Sequence, residues 1–341
     1  MRGWRTFALA LACTLGATAT VAARPQAAAP GAANTQQARA KALLAFQGDL
    51  VSVLSPSADA DRLFAAALLA RPLPNQAKFN NFHALIERAA HASNAGPAIS
   101  WARLADCDAK AHACPNDNAL AQLVQQAPDN AAVWLVKLSQ DANTLKKDDA
   151  RQDLAKAASA QLYDDYSGIA LKALAGTVSM LPPPNATIDP NSAAGANGVQ
   201  MLIVFATAAA MPQPALRDTA TYCEQQAARD ATVKDDCLKL GKILEWGSSP
   251  LARSLGLHLR EALGADPAQQ QDAQDARRNL VWQVQNFAEL SVRAQNDKAQ
   301  SQHLLALARN GGTQMSLMLA ALHDAGLPTD APAGWEPRKA D

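Results

Sequence analysis

The chain has 341 residues, enough for two modest domains and a sizeable core. Hydrophobic residues make up 49% and are dominated by alanine, aromatics are 5%, and 31 basic residues balance 31 acidic ones. No basic face stands out, which argues against a nucleic-acid partner, and the abundance of good helix formers over β-branched and aromatic residues argues against a sheet protein.

Residues 1–23 read as a signal peptide: Arg2 and Arg5 give a positive start, Phe7 to Leu15 a short apolar run, and Ala17, Ala19, Ala22 and Ala23 the small residues of a cleavage site between Ala19 and Ala23. The apolar run is too short to span a membrane comfortably, so the mature chain is expected to have no transmembrane helix. Cys13, in Leu11-Ala12-Cys13, lacks the leucine that a lipoprotein signal carries at the third position before its cysteine, so a lipid anchor there is the minor alternative. Loss of Arg2 and Arg5 leaves 29 basic against 31 acidic residues, a net charge of −2.

Residues 24–37, rich in Ala, Pro, Gly and Gln, read as a disordered tether. Residues 38–180 read as a helical-hairpin region. Leu43, Leu44, Leu50 and Val51 mark a first helix over 38–53. Ser57 or Asp59 caps a second carrying Leu63, Phe64, Ala67 and Leu68, which Pro72 and Pro74 end. A third, with Phe79, Phe82, Leu85 and Ile86, is expected over 75–92. Asn118 caps a run with Leu120, Leu123 and Val124, stopped by Pro128, and Asp129 or Asn130 caps the next, which carries Val133, Trp134, Leu135 and Leu138. Leu154, Ala155, Ala158 and Leu162 form a further stripe, and 169–180 a further helix.

Residues 181–198 are a Pro/Asn/Gly-rich linker or insertion. A second helical region over 199–327 follows, including a long helix opened by Asp266-Pro267. Met315, Met318, Leu319 and Leu322 form an i, i+3, i+4, i+7 core stripe, and 328–341 is a proline-punctuated tail. If the two helical regions pack into one superhelix, Ile169, Leu171 and Leu174 meet Leu202, Val204 and Phe205 at the seam.

The stretch from 97 to 164 resembles the tetratricopeptide (TPR) helical hairpin, whose period is about 34 residues. With Ala131 as the first position of a unit, Trp134 takes the family's aromatic position, Ala150 and Ala157 its two small positions and Leu154 the large one between them. One period back, Trp101 stands near the aromatic position and Pro128 near the closing proline. Leu138, Asp141 and Leu162 depart from the family's small residue, tyrosine and proline. The resemblance implies an all-α fold of antiparallel hairpins stacked as a right-handed superhelix, with Trp101, Trp134, Leu138 and Leu154 in its core. The family's carboxylate-binding groove needs Lys and Asn where Leu135 and Ser139 stand, so that mode is not expected.

Without Cys13 four cysteines remain, an even number suited to an oxidising compartment. Neighbours are expected to pair, Cys107–Cys114 and Cys223–Cys237, although two other connectivities are formally open. Cys107, His112 and Cys114 fit no zinc spacing and lack a fourth ligand, so no metal and no cofactor are expected. His83, His91, His303 and His323 are scattered, with no His-Glu-x-x-His. There is no Gly-x-Ser-x-Gly elbow, phosphate loop or dinucleotide fingerprint, and none of Glu87, Glu224, Glu245, Glu261, Glu289 and Glu336 precedes a serine, the context exported muralytic solenoids use. Asp164-Asp165 and Asp235-Asp236 read as charges at helix N-termini. No catalytic residue is assigned. The expected function is an exported, non-catalytic helical scaffold, periplasmic or secreted, that binds a protein or peptide. The alternative is an envelope-polymer hydrolase with a carboxylate pair drawn from distant positions.

Overall fold

The computed structural model describes residues 30–107 and 114–337, with side chains from Thr35 onward. The expected signal peptide, Cys13, the first part of the tether, His112 and the last four residues lie outside them. The described residues form α1 (Pro30–Leu54), α2 (Ala60–Ala70), α3 (Phe82–Ala90), α4 (Pro97–Arg103), α5 (Asp117–Gln126), α6 (Ala131–Asn143), α7 (Lys147–Ser159) and α8 (Ser167–Thr177). After a long connection come α9 (Gly195–Ala208), α10 (Leu216–Ala227), α11 (Ala231–Glu245), α12 (Pro250–Leu263), α13 (Pro267–Ala294), α14 (Lys298–Asn310) and α15 (Gln314–Asp324). Among the described residues there is no strand, only an isolated parallel bridge between Asn130 and Leu162, and no helix is long and apolar enough to cross a membrane.

The helices begin where short polar side chains can satisfy their free N–H groups. Asp59, Asn81, Asn116, Asn130, Asp230, Asp266, Asp297 and Thr313 each accept a hydrogen bond from the first turn. Pro97, Pro250 and Pro267 occupy first-turn positions where a missing N–H costs nothing. Several expectations are corrected. Asn116 rather than Asn118 caps α5, and Leu162, expected on the stripe of α7, lies beyond its end at Ser159 and is 49% exposed, while Ala155 is exposed on the helix. Residues 30–37, expected as tether, belong to α1. The third helix starts at Phe82 rather than at residue 75, because Asn75 takes a left-handed φ of 55° and Asn81 provides the cap. Asp235 and Asp236 fall in the second turn of α11, whose N-terminus is capped by Asp230.

From α1 to α7 each helix packs on the next, as stacked hairpins do. α8 departs from that order: it packs against α2, α9, α14 and α15. α7 packs on α11 and α6 on α10, so the later helices close over the earlier ones rather than extending a line of nearest neighbours. One continuous cluster of buried apolar residues runs from Phe46 to Leu322, and Trp101, Trp134, Leu138 and Leu154 belong to it. Leu171, Leu174 and Val204 are buried where α8 meets α9, whereas Ile169 is 39% exposed. Met315 and Met318 are buried with Leu257, Ala273 and Leu280 beneath α13. The connection between α8 and α9 lies along α1, fixed by Arg39 to Asp189 at 2.6 Å. The tail is also held: Trp282 donates its indole N–H to the Pro328 carbonyl at 2.9 Å, and Trp335 packs edge-on against Trp282.

Cys107 pairs with Cys114 and Cys223 with Cys237, at Cα separations of 5.2 and 5.9 Å. The second pair is fully buried and joins α10 to α11. A loop of about 15 residues closed in this way is worth roughly 3 kcal/mol in the chain-entropy view.

The α6–α7 hairpin buries two carboxylates. Lys137 Nζ lies 2.6 Å from Asp141 and 3.3 Å from Asp153, and Lys146 Nζ lies 3.4 Å from Asp141. Burial pushes Asp153 up to about 6, and a hydrogen bond with Asp141 acts in the same direction against the attraction of Lys137. Burial also raises Asp141, but its bonds with Lys137 and Asp153 outweigh that and hold it low.

Because the buried cluster is continuous, residues 38–183 and 197–327 expressed separately are expected to expose apolar seams. Each fragment should aggregate or melt without cooperativity, and two soluble, cooperatively melting fragments would show separate cores. The carboxylate pair predicts a pH dependence. Asp153 holds its proton up to about 6 when folded, against an ordinary value of 3.8. Between those values the unfolded chain releases a proton that the folded chain keeps. Stability therefore falls as pH rises through that window and does not recover above it. Asp141 acts in the opposite sense below the window. Denaturant midpoints measured from pH 4 to 7 should show the decline, and Asp153→Asn should flatten it.

Candidate functional site

The site is assembled from three loops distant in sequence. The loop between α7 and α8 is fixed by Asn130, which is 3% exposed. Its Oδ1 accepts N–H bonds from Ala132 at 3.1 Å and Asp164 at 2.9 Å, and its Nδ2 donates to the Asp164 carbonyl at 2.7 Å and to the Tyr166 hydroxyl at 3.1 Å. Backbone bonds from Ala131 N–H to the Leu162 carbonyl and from Gln161 N–H to the Asp129 carbonyl lay the same loop along the start of α6. Tyr166 then takes a left-handed φ of 58°, which turns the chain into α8. Its ring packs at 5.7 Å from that of Trp101.

The loop between α11 and α12 follows Trp246, the residue that ends α11. Gly247 leaves no room for a side chain: a Cβ there would stand 2.9 Å from the Leu244 carbonyl oxygen and 3.1 Å from the Tyr163 ring. Ser248 N–H donates to the Tyr163 carbonyl at 3.1 Å, and the Ser248 carbonyl accepts from Met315 N–H at 3.0 Å. The third loop, Gly311-Gly312-Thr313, presses on the start of α8. A Cβ on Gly168 would lie 1.9 Å from the Gly312 carbonyl oxygen, so only glycine permits this approach.

Between these loops lies a cleft of about 570 Å³ lined by Gln161, Leu162, Tyr163, Asp164, Lys242, Ile243, Trp246, Ser248 and Thr313. Its mouth is apolar: Trp246 is 78% exposed and Leu162 49%. Its inner wall is polar. Asp164 Oδ1 accepts the Tyr166 N–H at 2.8 Å. Burial raises the Asp164 carboxyl above its ordinary value, and the neighbouring Asp165 adds to this. Asp165 is fully buried. Its Oδ1 accepts from Ser167 N–H at 3.2 Å and Ser248 Oγ at 3.3 Å, and its Oδ2 has no partner. Burial, and after it Asp165, pushes the Tyr163 phenol well above its ordinary value. The Tyr163 and Ser249 hydroxyls are buried beside one another, neither completing a hydrogen bond of good geometry. An underlayer of this kind holds a rigid wall and can exchange hydrogen bonds or charge with whatever occupies the space above it.

The other candidate residues fall elsewhere. His83 faces Asp106 at 2.9 Å, and His91 lies 3.5 Å from Glu87. His303 and His323 both meet Asp324. Glu87, Glu245 and Glu261 are paired with Arg103, Arg260 and Arg277, and Glu224 with His258. Among the described residues no three His, Cys, Asp or Glu side chains are grouped to hold a metal ion. Asp164-Asp165 does stand at a helix entrance, but Asp164 also forms cleft wall. Lys242 on α11 and Trp246 at its C-cap, one turn apart, carry no sequence signal beyond helical spacing, since a tryptophan in an apolar pattern ordinarily reads as core. A second cleft, near Arg71 and Thr207, is spanned by the Arg71 guanidinium, which donates to the Ala210 carbonyl and lies over the Phe82 ring.

No protein-family model, curated protein or solved structure matches the chain. Asn130→Ala is expected to cost about 2–4 kcal/mol, combining a lost helix cap with buried groups left unpaired. Urea unfolding measures the loss. A cost below about 0.5 kcal/mol, the range of ordinary surface substitutions, would show that the loop is held by other means.

Proposed function

We propose that the chain is an exported helical scaffold that binds a protein or peptide through the cleft beside Trp246, and that its first seven helices are a degenerate TPR-like stack. The observation that carries the reading is Trp246 itself: an indole 78% exposed at the mouth of a cleft, with Leu162 beside it. Tryptophan is among the residues most enriched where binding energy concentrates, because it buries much apolar area at little entropic cost and keeps an N–H for the partner. An aromatic left in water on a well-packed scaffold is better accounted for by a partner than by stability. The two cysteine pairs support an oxidising compartment.

Trp246→Ala is expected to leave the melting temperature unchanged within experimental error and to weaken partner binding by about 2 kcal/mol or more. A photoreactive side chain at Leu162 should give a discrete crosslinked product in the native envelope, which Trp246→Ala abolishes. The same probe at Leu145, 80% exposed on the α6–α7 turn, should not give it. An equal product from both positions, or none from Leu162, would remove the cleft from consideration.

A further inference from the structure

Two adjacent carboxylates stand at the inner wall of the cleft without a counter-charge. Asp164 lines it, and Asp165 lies behind, fully buried, with one carboxylate oxygen unpartnered. Among the described residues no ion pair joins either to a basic group, and no cation contributes to the titration of Asp164, which burial raises. A desolvated carboxylate in this position gains more from an incoming cation than one in open water would, because the local dielectric is lower.

Trp246 lines the same cleft and has the complementary property. Its indole is 78% exposed at the cleft mouth, and the electron-rich faces of such rings attract ammonium and guanidinium groups. Leu162 and Ile243 supply apolar surface for an aliphatic stem. Lys242 is the opposing feature. It lies on the rim one helical turn before Trp246, exposed and free of any ion pair among the described residues. An exposed ammonium on a long side chain can swing into solvent and is screened by salt, whereas Asp164 is held in place by the Tyr166 N–H.

Resting on the binding reading above, we propose that the cleft recognises a basic side chain, arginine or lysine, within an extended peptide segment, its cation held between the Trp246 indole and the Asp164 carboxylate. Charge complementarity selects this occupant. A neutral glycan could stack on the indole but would leave Asp164 uncompensated, and an acidic peptide would meet the Asp164 carboxylate with a second carboxylate behind it.

The test uses the full mature chain, short capped alanine peptides carrying a central Arg, Lys, Leu or Glu, and a chitin oligosaccharide, with affinities from calorimetry and quenching of tryptophan fluorescence. The Arg and Lys peptides should bind at least about tenfold tighter than the Leu and Glu peptides, and more weakly as salt rises. Asp164→Asn, which keeps an acceptor for the Tyr166 N–H, should remove that preference. Trp246→Ala should weaken all binding, and Lys242→Glu should strengthen it for the basic peptides. Equal affinity across the peptides, preference for the Glu peptide, binding only of the oligosaccharide, or no binding of the basic peptides overturns the proposal. An Asp164→Asn chain that still discriminates does the same. A crosslink from Leu162 to a protein, together with peptides that bind without charge preference, removes this inference and leaves the binding reading intact.

Discussion

Much of the structure depends on one buried amide. Asn130 has two donors and two acceptor lone pairs, and every one is used, on the first turn of α6, on the N–H and the carbonyl of Asp164 and on the Tyr166 hydroxyl. A side chain so fully committed leaves its partners little freedom. It sets where the loop from Gln161 to Tyr166 runs, and so where α8 begins and which way it points. α8 is the helix on which early and late parts of the chain meet. Moving its start would separate Gly168 from Gly312 and the Tyr163 carbonyl from Ser248, contacts in which backbone approaches backbone with no side chain to take up slack. In a close-packed interior, displacements of this kind are not absorbed gradually.

The cleft follows from the same geometry. Three loops pinned to one another by main-chain bonds cannot close completely over their polar underlayer, because Tyr163, Asp165, Ser248 and Ser249 fill the space beneath with groups that need partners of their own. What remains above is a shallow recess with a carboxylate at its back. On its rim is Trp246, the C-cap of α11, a helix cross-linked to α10 by Cys223–Cys237. The recess thus has a stiff floor and, in Trp246 and Lys242, a rim free to adapt.

Local signals in the sequence located most helices, since Asp, Asn and Pro mark starts whose physics is confined to one turn. Asn130 as a cap, Pro267 opening the longest helix of the second half and the apolar stripes of α2 and α6 are of this kind. The start of α3 was not legible: Phe79 and Phe82 extend its apolar spacing backward, and only the left-handed turn at Asn75 and the cap at Asn81 end it. The hub position of α8 was not legible either. Its apolar composition reads as any buried helix, and its neighbours are fixed by how distant helices close over it. The recess escaped for a related reason. Exposure of Trp246 is decided by what does not pack against it, which no spacing encodes, and the doublet Asp164-Asp165 has a sufficient local role in the bond from Ser167 N–H to Asp165.

The path by which the loops meet has a temporal consequence. Thr313 and the N–H of Met315, which complete the wall beside Ser248, lie close to the C-terminal end of the described chain. A polypeptide still emerging from a ribosome or a translocation channel, or one shortened by proteolysis before α15, possesses Trp246 and Asp164 but not the surface that holds them in register. The wall of the cleft is therefore completed only when the residues from Thr313 onward have been delivered, long after Asp164 and Trp246.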